Sequence, residues 1–177
     1  MMREGQVVKE FETGGVKTVF RYPRWEDLDS FIEMHRTLSR EKVMCHRLEL
    51  DRASGGRMLA DILVGLEEDR RSYLLVEREG SLAGEGFADK TGHLYCTVGI
   101  ALVNRVRGLG IGTELMRALE QESRRLGAKR LHLTVWSANP AAMHVYQKVG
   151  YHECGRRPGW IRMDSGEECD LIEMVKT

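Results

Sequence analysis

The 177-residue chain is 42% hydrophobic and 31% charged, the composition of one ordinary globular domain with a full core. Lysine plus arginine equals aspartate plus glutamate at 27 each, which excludes the broad basic field of a nucleic-acid binder and leaves room only for a local basic site. No apolar run approaches the ~20 residues of a membrane span, and Cys45, Cys96, Cys154 and Cys169 form no C-x-x-C pair, so reduced thiols in a cytoplasmic protein are expected rather than disulfides.

Residues 1–15 are charged and lack an apolar centre, so they are expected to be a flexible segment, neither signal peptide nor anchor, ahead of a single domain over 16–177. Residues 16–24, β-branched and aromatic up to Pro23, predict a first strand. From Trp25 to about Glu41, Leu28, Phe31, Ile32, His35 and Leu38 recur at helical spacing. Residues 44–52 mix charge with His46 and Leu48 and fit helix or loop. A second helix over 54–70 opens at Ser54 as its cap and puts Met58, Leu59, Ile62, Leu63 and Leu66 on one face.

Two short apolar runs, 72–79 and 82–89, meet at Gly80 as a hairpin, and Thr91-Gly92 turns the chain into a long apolar strand over 93–103. Beyond the next turn, Ile111, Leu115, Leu119 and Leu126 face inward on a helix that Gly127 ends. Residues 130–136 alternate as a strand. Asn139 then caps a helix with Pro140 at its first position and Gly150 at its end. Residues 151–157 and 168–175 close the chain as a hairpin across a loop at 157–166. His93-x-x-Cys96 and His152-x-Cys154 approach metal-ligand spacing, but no second pair completes four ligands, so no metal is expected.

The most informative stretch is residues 98–112, an apolar run that stops at a basic turn holding Gly108, Gly110 and Gly112, followed at once by a helix. Such a turn exposes consecutive backbone N–H groups, the helix start adds roughly half a positive charge, and Arg105 and Arg107 add full ones, so the turn is suited to an anion. The spacing matches neither G-x-G-x-x-G nor a P-loop. A tight strand-to-helix connection with no ligand is the alternative.

Arg107-Gly-Leu-Gly-Ile-Gly112 reads R-x-x-G-x-G, and Asn139 to Tyr151 reads N-x-x-A-x-x-x-Y-x-x-x-G-[FY]. Both resemble the GNAT family of N-acetyltransferases, and the element order is similar to that family's over roughly residues 16–175. The resemblance implies an α/β fold with a mixed, mostly antiparallel sheet of six to seven strands flanked by about four helices. It also implies acetyl-CoA as co-substrate, with the backbone of Ile100, Ala101 and Leu102 pairing with the pantetheine arm. Arg107 and the amides of Gly108, Leu109, Gly110, Ile111, Gly112 and Thr113 would hold the pyrophosphate. Asn139 would meet the cofactor near the thioester, or serve only as a helix cap. Tyr146 would sit by the sulfur as a catalytic residue, or be a core tyrosine whose hydroxyl meets a carbonyl.

The reaction implied is direct attack of a neutral amine on the thioester with no acyl-enzyme, so a base must take the amine proton. Many relatives carry a glutamate where this chain has Thr97. A water relay to Glu85 on the preceding strand, or to a histidine, is then the candidate route for the proton, with Glu85 the residue chosen; a solvated surface glutamate is the alternative. The acceptor is a primary amine of a small molecule or of a protein N-terminus or lysine; His46, Glu49, Trp160 and Asp164 lie where it would bind. No nucleic-acid or membrane partner is expected, and a homodimer is left open. Two rivals stand beside this reading: a catalytically silent acyl-CoA-binding or sensing module, and a helix-based DNA binder using the basic turn.

Overall fold

In the computed structural model, residues 4–42, 49–163 and 165–177 are described. In chain order they form β1 (Val7–Thr13), β2 (Val16–Arg21), α1 (Leu28–Arg40), α2 (Arg52–Glu67), β3 (Arg71–Arg78), β4 (Ser81–Lys90), β5 (Tyr95–Leu102), α3 (Ile111–Arg125), β6 (Arg130–Trp136), α4 (Pro140–Lys148), β7 (His152–Arg162) and β8 (Glu168–Lys176). One mixed sheet runs β1-β2-β3-β4-β5-β6-β8-β7, antiparallel throughout except for β5 beside β6.

Helix α1 lies on one face of the sheet with α2 packed against it, where Gly55 permits contact so close that a Cβ would stand 2.7 Å from Ile32. Helix α3 covers the other face. Gly86 of β4 leaves room there for Leu115 and Leu119, both fully buried. The period-2 alternation of β4 therefore sends Gly86 toward α3 and its neighbour Glu85 toward α1. Helix α4 joins the α3 side, with Val145 approaching Gly112.

Several expectations need correction. The segment expected to be flexible contains a strand: Val7–Thr13 is β1, which raises the sheet to eight strands among the described residues. Gly14 and Gly15, both at positive φ, make the two-residue turn that pairs Thr13 with Val16. Phe11 then packs edge-on to Phe20 at 5.2 Å, and Lys9 pairs with Glu114 of α3. Helix α2 starts earlier than read, because Asp51 and not Ser54 is the cap. Asp51 accepts from the Ser54 amide at 2.6 Å while the Ser54 hydroxyl takes the Asp51 amide, a reciprocal capping box. The closing hairpin is longer too: β7 continues to Arg162, with a bulge between Arg157 and Ile161 absorbing Pro158-Gly159.

Candidate active site

The sheet splits at its centre. Strands β4 and β5 pair along their length, from Lys90 opposite Cys96 to Gly84 opposite Leu102. By contrast β5 and β6 pair only where Tyr95, Cys96 and Thr97 meet Arg130, Leu131 and His132. Strand β6 stays with β8 as far as Trp136, so the facing edges of residues 98–102 and 133–136 part like a V. Val103 donates its amide to Ala83, and alternation then turns the backbone N–H and C=O of Ile100 and Leu102 into the V, while those of Ala101 belong to the β4 ladder opposite Glu85. Of the three residues assigned to pair with a ligand arm, Ile100 therefore turns both backbone groups toward it and Leu102 its N–H, the Leu102 carbonyl being held by Arg107.

At the open end of the V stands the glycine turn. Gly108 and Gly110 both take positive φ, at +72° and +79°, and Gly110 is the N-cap of α3. None of the amides of Gly108, Leu109, Gly110, Ile111, Gly112 or Thr113 donates to an acceptor among the described residues. Six consecutive N–H groups at the positive end of a 15-residue helix make an anion cradle. Gly112 has no positive φ, and a Cβ there would meet Ile100 and Leu102 at 3.5 Å, an ordinary van der Waals contact.

The two arginines expected to charge this cradle are engaged elsewhere. Arg107 donates from Nε and Nη2 to the Leu102 carbonyl at 2.9 and 2.8 Å, bracing the end of β5. Arg105 reaches Ser81 at 2.8 Å and the Leu82 carbonyl. The cations beside the turn are instead Lys148 and Arg117, the latter paired with Glu114; they line a cavity of about 370 Å³ with Phe11, Glu12, Thr13, Leu109, Gly110, Thr113 and Glu114. Arg117 lies seven residues, or two helical turns, past Gly110, a signal present in the sequence; Lys148 comes from α4 and had none. Thr13 of β1 also holds the Leu109 carbonyl at 3.0 Å, so the unforeseen strand steadies the turn.

Glu85 is buried, not a solvated surface residue. Its Oε2 accepts from the Tyr73 hydroxyl and lies 3.1 Å from His35 Nε2 of α1. Its Oε1 has no hydrogen-bond partner among the described residues, and the side chain keeps 8% of its surface exposed. Burial, then the Glu85 charge and hydrogen bond, push the Tyr73 phenol well above its ordinary range. His35 is fully buried, yet neither ring nitrogen makes a hydrogen bond among the described residues, an arrangement that costs about 1–3 kcal/mol per orphaned polar group. Thr97, on the same face of β5 as Ala101, bonds only to Thr91 at 3.4 Å and has no acidic function of its own.

Tyr146 is 6% exposed, its ring 6.2 Å from that of Tyr151. No carbonyl meets its hydroxyl among the described residues, and burial pushes its pKa up to about 12. Asn139 caps α4 by accepting the Ala142 amide at 3.1 Å, which leaves its side-chain NH₂ free. Trp160 is 64% exposed with the Arg157 guanidinium over its ring, and Glu49 lines a cavity with Arg36, Arg40 and Asp51; His46 and Asp164 lie outside the described residues. Among the described residues no helix is long and apolar enough to cross a membrane.

The sequence profile of the family described as Acetyltransferase (GNAT) matches residues 31–151, well over half of the chain. The chain belongs to the GNAT family of acetyltransferases. Streptothricin acetyltransferase of Streptomyces lavendulae is 33% identical over 103 residues, 57% of this chain and 54% of that protein, so the likeness spans about half of that relative. A GNAT-family acetyltransferase from Streptococcus pneumoniae superposes with a TM-score of 0.79 at 23% identity, covering 90% of this chain and 98% of that one. The GNAT phosphinothricin acetyltransferase of Sinorhizobium meliloti, solved with acetyl-CoA, gives 0.76 at 19% identity over 90% and 87%. The fold is thus the α/β GNAT fold, here with eight strands and four helices among the described residues.

Proposed function

We propose that this protein transfers the acetyl group of acetyl-CoA to a primary amine by direct attack within a ternary complex. The observation that carries this reading is the row of six unpartnered amides, Gly108 to Thr113, at the mouth of a sheet split beside Ile100 and Leu102. A diphosphate needs directed donors, and a flexible amide-bearing arm needs a free strand edge; the two lie in series here. Acetyl-CoA supplies the activated acetyl thioester. Lys148 adds positive charge beside the turn, where Arg117 is paired with Glu114, while Arg107 fixes the end of β5.

Glu85 acts as proton acceptor for the amine in this reading, through Oε1 or a water on it, and so replaces the acid missing at Thr97 from the neighbouring strand. Tyr146 donates a hydrogen bond to the departing sulfur, and Asn139, at the N-terminal end of α4, offers its side-chain NH₂ to the cofactor. No cysteine is needed as a nucleophile, and burial pushes the Cys96 thiol up, away from the reactive thiolate form. The silent-binder alternative rests on Thr97, and turnover separates the two. Incubation with acetyl-CoA and a panel of peptides, lysine, polyamines, amino acids and aminoglycosides is expected to release free thiol and give one product 42 Da heavier, the mass of an acetyl group less the displaced proton. Acetyl-CoA binding without thiol release across the panel would leave the silent binder.

A further inference from the structure

His35 is a group the reaction as described leaves unused. It sits in the middle of α1, carries no surface exposure, packs edge-on against Phe31 at 4.4 Å, and holds two ring nitrogens with no hydrogen bond. An apolar side chain would fill that site without orphaned atoms. Its Nε2 is nevertheless within 3.1 Å of Glu85 Oε2, so a small turn of the imidazole, and no movement of the backbone, closes a hydrogen bond.

We infer that His35 is a positioning residue: with Nε2 protonated, it joins Tyr73 in holding Glu85 by Oε2, so that Oε1 alone faces the amine. This rests on Glu85 being the proton acceptor. The contact is built from three separated elements, α1, β3 and β4, which converge on a single oxygen. A carboxylate free to rotate presents either oxygen at varying angles. One pinned by two donors presents the remaining lone pairs in a fixed direction, the same logic by which a carboxylate orients a catalytic imidazole, here with the roles exchanged. The other charged groups nearby, Arg71 and Asp89 with Asp61 of α2, form their own ion-pair cluster, so among the described residues Glu85 and Tyr73 are the titratable groups facing His35. During turnover the amine N–H bond breaks as a bond to Glu85 Oε1 forms, and the proton then leaves to solvent; His35 and Tyr73 keep their own protons throughout.

The test has a readout that needs no substrate. In protein labelled with ¹⁵N-histidine, the His35 signal, identified by its loss in His35→Gln, is expected to report a protonated Nε2 and to shift in Glu85→Gln. With the amine found by the panel, His35→Leu is expected to lower kcat about 10- to 100-fold while acetyl-CoA KM stays within about threefold, and His35→Gln, which keeps a donor, to recover most of the loss. Melting curves monitor folding, and His35→Met replaces the leucine variant if that one unfolds. A proton on Nδ1 alone, or full kcat in His35→Leu with an impaired Glu85→Gln, overturns the inference. Full kcat in both variants removes Glu85 from the chemistry, and the inference falls with it.

Discussion

Replacing Tyr146 with phenylalanine deletes one oxygen at the point where the reading places the departing sulfur. Burial raises the phenol to about 12, whereas a thiol of ordinary character titrates near ~8.5, so full proton transfer to the leaving thiolate is uphill by about 5 kcal/mol. Tyr146 is therefore expected to act as a hydrogen-bond donor and not as an acid. A hydrogen bond to a charged acceptor contributes about 1.5–3 kcal/mol, which corresponds to a roughly 10- to 150-fold fall in kcat for Tyr146→Phe. Because the hydroxyl has no protein partner, the melting temperature is expected to stay within about 2 °C and the acetyl-CoA Kd within a few-fold. The assay is steady-state turnover on the identified amine beside calorimetry with acetyl-CoA. Unaltered kcat would refute the leaving-group role; a parallel loss of kcat and thermal stability would return Tyr146 to the core.

Gly110→Val forces a β-branched residue to φ +79° and redirects the amides around it, so calorimetry is expected to show acetyl-CoA binding weakened at least about 100-fold in a folded protein, the loss of one or two charge-assisted bonds; an unchanged Kd ends the phosphate assignment. Glu85→Gln is expected to lower kcat/KM most at low pH, where the amine is almost wholly ammonium and its proton hardest to remove, and a pH-rate profile identical to the wild type would exclude Glu85. Burial pushes the Asp27 carboxyl up, but the hydrogen bonds from Arg21 and from the Arg24 amide outweigh it and hold the group below its ordinary value. That stabilisation is complete above the unfolded value near ~3.9 and is lost as pH falls through the lower folded one. Urea melts of Asp27→Asn should therefore show a loss of about 3 kcal/mol or more at pH 7, shrinking below about pH 4, because the variant leaves the 8%-exposed Arg21 without its bidentate partner; a constant difference down to pH 2 would contradict the sign.

The sequence alone determined what depends on neighbouring residues. Gly108 and Gly110 permit positive φ at little cost, Asn139-Pro140 favours a helix start by its own local chemistry, and the periods of 2 and 3.6 mark elements by which side chains must be covered. Even β1 was legible in this way, since Gly14-Gly15 is a hairpin turn between alternating residues, but the charge of the segment obscured it. Only the tertiary structure decided where β5 and β6 part, because Thr97 and His132 differ from their neighbours in no local preference; the split comes from β6 following β8 while β5 follows β4. It likewise turned Arg105 and Arg107 from the anion to carbonyls and a hydroxyl on adjoining chain, and buried Glu85 beneath a histidine fifty residues earlier. Backbone preferences act over a few residues, whereas the environment of a charge is set by whichever distant side chains the packed core brings against it.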